Sequence, residues 1–189
     1  MDGTTADNIL VDTLTSNTTM NGDAGDDVLV SNATSGSDTL DGGDGNDLLI
    51  GGAGSDNLTG GLGADTFAWR LADKGTAGSA ATTASDTIYG FDTVANSDRL
   101  DLRDLLVGEN HASGIGNLAN YIDITTSGGN TLIRVSTTGG FTGGTYAAGA
   151  EDQRITLSGA DLYSSYGITA GNDAALIQKL LTDGKLKVD

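Results

Sequence analysis

Three consecutive nonapeptides align without a gap at residues 42–50 (GGDGNDLLI), 51–59 (GGAGSDNLT) and 60–68 (GGLGADTFA). Each fits G-G-x-G-x-D-x-U-x, where U is a large apolar residue, and a short period of this kind signals a stacked architecture. Upstream, residues 33–41 (ATSGSDTLD) keep Gly36, Asp38 and Leu40 at the fourth, sixth and eighth positions. Beyond an insertion of Ser31 and Asn32, residues 22–30 (GDAGDDVLV) keep Gly22, Gly25, Asp27 and Leu29. Residues 2–10 (DGTTADNIL) retain Asp7 and Ile9. Residues 11–21 are the most degraded, with Thr18 at the acidic position and Met20 at the apolar one.

One block reads as a six-residue turn followed by a three-residue strand. Glycines at the first, second and fourth positions allow positive φ and close backbone approach, so the turn can point carbonyls inward. In the x-U-x triplet one side chain faces in. Two blocks make an eighteen-residue coil, and stacked coils form two parallel sheets with Ile9, Leu29, Leu40, Leu49, Leu58 and Phe67 filling the interior. The expected fold class is all-β, a parallel β-roll followed by a β-rich C-terminal cap with one short helix near its end.

Stacking brings each turn beside the turn one coil later. Asp47 then aligns with Asp65 and Asp38 with Asp56; with the insertion counted, Asp27 meets Asp47 and Asp7 meets Asp27. Carboxylates this close repel one another, and inward carbonyls lack donors. A hard cation resolves both. An oxygen-only, flexible site favours calcium over magnesium and disfavours zinc or copper. The EF-hand register is absent, because the twelfth residue counted from Asp41 is Gly52. Asp12, Asp26 and Asp41 lie off the sixth position and are expected to be solvated.

Charge agrees with a cationic partner. The chain carries 26 acidic residues against 9 basic ones, for a net charge of -17. Residues 1–68 contain no Lys or Arg at all. Nucleic acid and anionic lipid require a basic surface that this chain lacks. With no cysteine and one histidine, a disulfide framework, the usual structural zinc sites and a thiol nucleophile are excluded. No apolar run is long enough for a membrane span, and no basic-then-apolar N-terminal leader is present. Met1 directly before a half-degenerate repeat suggests an excised fragment, expected to be monomeric.

At these residues the sequence resembles the calcium-binding nonapeptide repeats of the repeats-in-toxin (RTX) family. The resemblance implies that each ion sits between turns of alternate blocks. It would take second- and fourth-position carbonyls and the sixth-position Asp from one turn, and first- and third-position carbonyls with the Asp from the next. Carried over by position, one site is Gly43, Gly45 and Asp47 with Gly60, Leu62 and Asp65. On the opposite edge another is Thr34, Gly36 and Asp38 with Gly51, Ala53 and Asp56. A third is Asp23, Gly25 and Asp27 with Gly42, Asp44 and Asp47, and a fourth is Gly3, Thr5 and Asp7 with Gly22, Ala24 and Asp27. Thr18 is expected to cost a site on its edge. Three to five calcium ions are implied. The competing reading of these aspartates is turn chemistry alone, since Asp bonds its own backbone in turns.

After Phe67 the period stops. Residues 72–85 (ADKGTAGSAATTAS) read as a loop or insertion between a roll at 1–71 and a second region at 86–189. Strands are expected at 86–92, 99–102, 118–124, 131–135 and 154–157, with a hairpin turn at Gly128-Gly129-Asn130. A helix runs from Asn172 or Asp173 to Leu181, ended by Asp183-Gly184, and Leu186 and Val188 form a last short strand. The order GADTF, DTIYGFD, DRLDLRDLL and an apolar helix running into LLTDGKLKVD resembles the C-terminal target domain of large type I secreted RTX adhesins. That resemblance implies an uncleaved export signal within 174–189, recognised by an inner-membrane ATP-binding-cassette exporter, and a place outside the cell or on its surface. The competing reading is that Leu176, Ile177, Leu180 and Leu181 simply pack on the sheet.

The functional expectation is a calcium-triggered folding and secretion module of a larger adhesin, without enzymatic activity or membrane insertion. Two alternatives are the calcium-binding tail of a secreted protease or lipase, and the ligand-binding part of an adhesin. No metalloprotease zinc motif and no G-x-S-x-G elbow is present. His111 lies in a Gly- and Asn-rich stretch with no acid placed for a triad. Trp69 and Tyr89 read as core or junction residues, with carbohydrate stacking as the lesser reading. Threonine falls at no fixed repeat position, which argues against an ice- or sugar-binding array.

Overall fold

A computed structural model describes residues 1–75, 83–94, 97–110 and 114–189. His111 and the middle of the expected 72–85 loop lie outside them. Ten short strands come first: β1 (Asp2–Thr4), β2 (Ile9–Asp12), β3 (Thr19–Asp23), β4 (Val28–Ser31), β5 (Thr39–Asp44), β6 (Leu48–Ile50), β7 (Asn57–Leu62), β8 (Thr66–Ala68), β9 (Ala84–Tyr89) and β10 (Arg99–Asp101). The chain continues through β11 (Ile122–Ser127), β12 (Asn130–Val135), β13 (Gln153–Ser158), α1 (Leu162–Tyr166), α2 (Asp173–Thr182) and β14 (Leu186–Lys187).

Successive strands alternate between two sheets, as turn-strand-turn-strand coils must. One sheet has eight strands in the order β1-β3-β5-β7-β9-β13-β12-β11, and the other has six, β14-β10-β8-β6-β4-β2. The six-stranded sheet is parallel throughout, and the larger one is parallel from β1 to β13 and antiparallel from β13 to β11. Both sheets run without a break from the repeats into the C-terminal half, through β7-β9-β13 in one and β8-β10-β14 in the other.

The eighth-position residues fill the interior. Met20, Leu29, Leu40, Leu49, Leu58 and Phe67 are fully buried, and Ile88 and Leu100 continue the same stack beyond the repeats. Burying such a side chain contributes about 1.5–3 kcal/mol relative to leaving it exposed. One expected interior residue is corrected: Ile9 is 76% exposed, and Leu10 packs against the core instead. Register explains this, since Ile9 pairs with Val28 and Leu10 with Leu29. The first block therefore begins at Gly3.

The C-terminal half follows the expected hydrophobic alternation closely. The 118–124 stretch divides into a 3-10 turn at Leu118–Asn120 and β11. Helix α2 spans 173–182, with the Asn172 side chain accepting from the Ala175 amide at its start. It buries Leu176, Ile177 and Leu180, while Leu186 of β14 and the adjoining Val188 are also buried. Helix α1 has no counterpart in the expected elements; Asp161 accepts from the Ser164 amide at its start and Gly167 closes it with φ of 63°.

Candidate metal centres

The sixth-position residues form two columns, one along each edge of the roll. The first edge carries Asn8, Asp27, Asp47, Asp65 and Asp98. Each backbone amide donates to Oδ1 of the next rung: Asn8 to Asp27 at 2.7 Å, Asp27 to Asp47 at 2.8 Å, Asp47 to Asp65 at 2.9 Å and Asp65 to Asp98 at 3.1 Å. The second edge carries Thr18, Asp38, Asp56 and Asp86, joined the same way at 2.7, 2.8 and 2.9 Å.

That bond satisfies one oxygen of each carboxylate. The other, Oδ2, is buried without a protein partner at Asp27, Asp47, Asp56 and Asp65. An unpaired buried anionic oxygen is costly, so these four, three along the first edge and Asp56 on the second, define where positive charge belongs. Glycine makes the room. A Cβ on Gly60 would lie 2.1 Å from Asp65 Oδ2, and one on Gly42 would lie 2.3 Å from Asp47 Oδ2. The same relation joins Gly22 to Asp27 and Gly51 to Asp56.

Electrostatics points the same way. Burial, with the neighbouring carboxylates Asp86 and Asp38 adding to it, pushes Asp56 up to about 8. Burial and the Asp98 and Asp47 charges push Asp65 up to about 7, and Asp47 is raised chiefly by burial. These carboxyls resist ionising unless a cation joins them. The available donors are oxygens only, carboxylate and backbone carbonyl, which suits a hard ion such as calcium. The side chains of Asp23, Asp44 and Leu62 face solvent, so such residues would contribute through their carbonyls.

Of the residues singled out in the sequence, Asp27, Asp38, Asp47, Asp56 and Asp65 stand in the columns. Asp7 does not. It is exposed and accepts from the Asp26 amide at 2.9 Å, starting a separate surface row in which Asp26 Oδ1 accepts from Asn46 and Asn46 Oδ1 from Ala64. The one-residue register shift puts Asn8 in the place expected for Asp7. Asp26 and Asp41 are exposed as expected, but Asp12 is buried. Its carboxylate holds its own turn, accepting from Thr18 Oγ1 at 2.5 Å and the Leu14 amide at 3.0 Å. Beside it, Asp38 Oδ2 takes a hydrogen bond from Ser31 Oγ at 2.7 Å, and the Arg70 guanidinium donates to the Ser31 carbonyl at 3.0 Å. This part of the second edge is closed by hydroxyls.

Asp86 and Asp98 were not among the expected site residues. Their available signal was the D-x-U triplet, Asp86-Thr87-Ile88 and Asp98-Arg99-Leu100, which repeats without flanking glycines. Asp86 Oδ2 accepts from Trp69 Nε1 at 2.6 Å and Gln153 Nε2 at 2.9 Å. Asp98 Oδ2 accepts from the Asp92 amide at 2.7 Å.

Comparison with known proteins identifies the repeats. Residues 12–33 and 32–67 match the family model described as the RTX calcium-binding nonapeptide repeat, four copies. RTX nonapeptide repeats bind calcium, and this stretch is a calcium-binding repeat module. No curated protein sequence matches the chain. Among solved structures, the AlgE6R2 subunit of the Azotobacter vinelandii mannuronan C5-epimerase is 26% identical, with the match covering 100% of this chain and 91% of that one at a TM-score of 0.53. The AlgE6R3 subunit of the same enzyme is 27% identical over 92% of this chain and 75% of that one, at a TM-score of 0.42.

Proposed function

We propose that the chain is a calcium-triggered folding and export module of a secreted RTX adhesin. The observation that carries the calcium part is the set of four buried, unpartnered Oδ2 atoms at Asp27, Asp47, Asp56 and Asp65. Bound calcium supplies positive charge between successive turns. The chain's own residues do the rest: glycine backbones open the space, each Oδ1 is fixed by the amide one coil back, and the eighth-position side chains hold the turns in register.

Where calcium is scarce, burying these carboxylates opposes folding through desolvation and mutual repulsion. The N-terminal half then stays loosely folded, which suits passage through an exporter. Outside the cell, sites in extracellular modules bind at about 0.1–1 mM. Ten times the dissociation constant contributes about 1.4 kcal/mol per site, and several coupled sites approach the stability of a small domain.

The export signal is assigned to residues 174–189, by resemblance to type I secreted adhesins. Leu176, Ile177, Leu180, Leu186 and Val188 within it are buried in the folded chain, so an exporter would read them before folding. RTX repeats are typical of secreted proteins, and no helix among the described residues is long and apolar enough to cross a membrane. The chain is proposed to have no enzymatic activity of its own. A second reading is favoured by the full-length likeness to AlgE6R2, a subunit of an epimerase: the module would then be attached to a secreted enzyme whose catalytic part lies elsewhere.

A calcium titration followed by far-ultraviolet circular dichroism, with magnesium as control, tests the reading. A cooperative gain of β signal with calcium is expected. A fully folded chain in chelator would overturn it.

A further inference from the structure

Both aspartate columns extend one rung past the repeats, and the last rung of each differs in kind from the one directly before it. In Asp56 and Asp65 the second carboxylate oxygen is bare. In Asp86 and Asp98 it is taken by the protein. The Trp69 indole and the Gln153 amide both donate to Asp86 Oδ2, and Gln153 belongs to β13, far along the chain. At Asp98 the donor is the Asp92 amide, in a turn that Lys185 fixes from the other side: its buried ammonium donates to the Asp92 carbonyl at 2.7 Å and to Ser97 Oγ, and lies 5.6 Å from the Phe91 ring centroid. Every remaining oxygen of these two rungs faces back towards the repeats, where Asp86 Oδ1 accepts the Asp56 amide and Asp98 Oδ1 the Asp65 amide.

We propose that Asp86 and Asp98 are positioning residues that close the two columns with protein donors in place of an ion. The C-terminal half is then ordered independently of calcium and holds Asp56 and Asp65 in register for the ions nearest to it. The inference rests on the calcium reading above and adds to it a division of labour: residues 1–68 depend on the ion, and the half that contains β11, β12, β13 and α2 does not. The physical reason is local satisfaction. The Oδ2 donors of Asp86 and Asp98 all lie within residues 69–189 and persist without the ion, leaving only Oδ1 to be taken by water when the repeats loosen, whereas Asp56 and Asp65 have a buried Oδ2 with no protein donor at all.

Hydrogen exchange on the full chain in chelator is the first test. Amides of 122–135, 153–158 and 173–182 are expected to stay protected while those of 19–62 exchange freely. Rapid exchange of the C-terminal strands in chelator overturns the inference. Slow exchange of 19–62 in chelator instead overturns the folding reading on which it rests, so the two failures are read from different peptides.

Edge-specific variants supply the second test. Asp86→Asn leaves Trp69 and Gln153 facing an amide and is expected to weaken calcium at the Asp56 edge by about tenfold or more, with the Asp65 edge unchanged. Asp98→Asn is expected to do the reverse. Terbium luminescence excited through the Trp69 indole, which is bonded to Asp86, reads the ion nearest that rung. It should fall with Asp86→Asn and persist with Asp98→Asn. An equal loss in both variants would mark a general structural role and overturn the assignment.

Discussion

Ser31 Oγ donates to Asp38 Oδ2 at 2.7 Å, at the place where, one coil later, Gly51 leaves Asp56 Oδ2 bare. A hydroxyl in one coil thus fills the place of an ion in the next. Ser31→Ala is expected to leave Asp38 with an unsatisfied buried oxygen and to cost about 1–3 kcal/mol. The number of calcium ions bound should stay the same. Denaturant unfolding in saturating calcium checks the first outcome, and isothermal titration the second.

Gly60→Ala isolates the space the ion needs. Gly60 does not have the positive φ of Gly61 or Gly63, so alanine fits its backbone conformation. The added Cβ would meet Asp65 Oδ2. We expect one bound calcium fewer by isothermal titration, with little change in the chain's circular dichroism in chelator.

The pH response follows from the raised carboxyls. Asp56 sits at about 8 and Asp65 at about 7 in the metal-free fold, against 3.8 for the unperturbed group. Below about 4 both folded and unfolded chains are protonated at these sites, and the fold suffers no ionic penalty. As pH rises from 4 towards 8, the unfolded chain ionises first, and stability is progressively lost. Metal-free protein should therefore be more folded at pH 5 than at pH 8. Calcium displaces those protons, so its apparent affinity should rise with pH, and binding near pH 7 should acidify a weakly buffered solution.

The register of the first coil is also testable. Ile9→Thr changes an exposed side chain and should alter stability by less than about 0.5 kcal/mol. Leu49→Ala, in the fully buried stack, should cost about 2–5 kcal/mol. Thermal unfolding of the two variants in calcium separates them.

The roll was legible where the repeat was intact. From Leu29 to Phe67 the spacing alone puts each apolar residue inside and each sixth-position Asp on an edge. It misled at Asp7, because two aligned features, an acid and an apolar residue two positions later, also occur one residue out of phase; Gly3 was the cue to the true start. Asp12 departs from the expected solvated position because its role depends on the Thr18 hydroxyl, which occupies the acidic position of its own turn. Asp86 and Asp98 stayed hidden since their partners, Gln153 and the Asp92 amide, are brought close only by the fold. The C-terminal strands and α2 were readable from periodicity, whereas α1 spans five residues, too few for a helical pattern to stand out.

β2 and β14 lie at opposite borders of the six-stranded sheet. Tension applied between Met1 and the last residues would therefore act along the inter-strand hydrogen bonds, across the strands. Such a load does not shear the sheet as a unit; it peels the outermost coil. Each eighteen-residue coil freed this way lengthens the chain by up to about 60 Å. Under pull the module would yield in steps from its borders, absorbing extension while the inner strands still held.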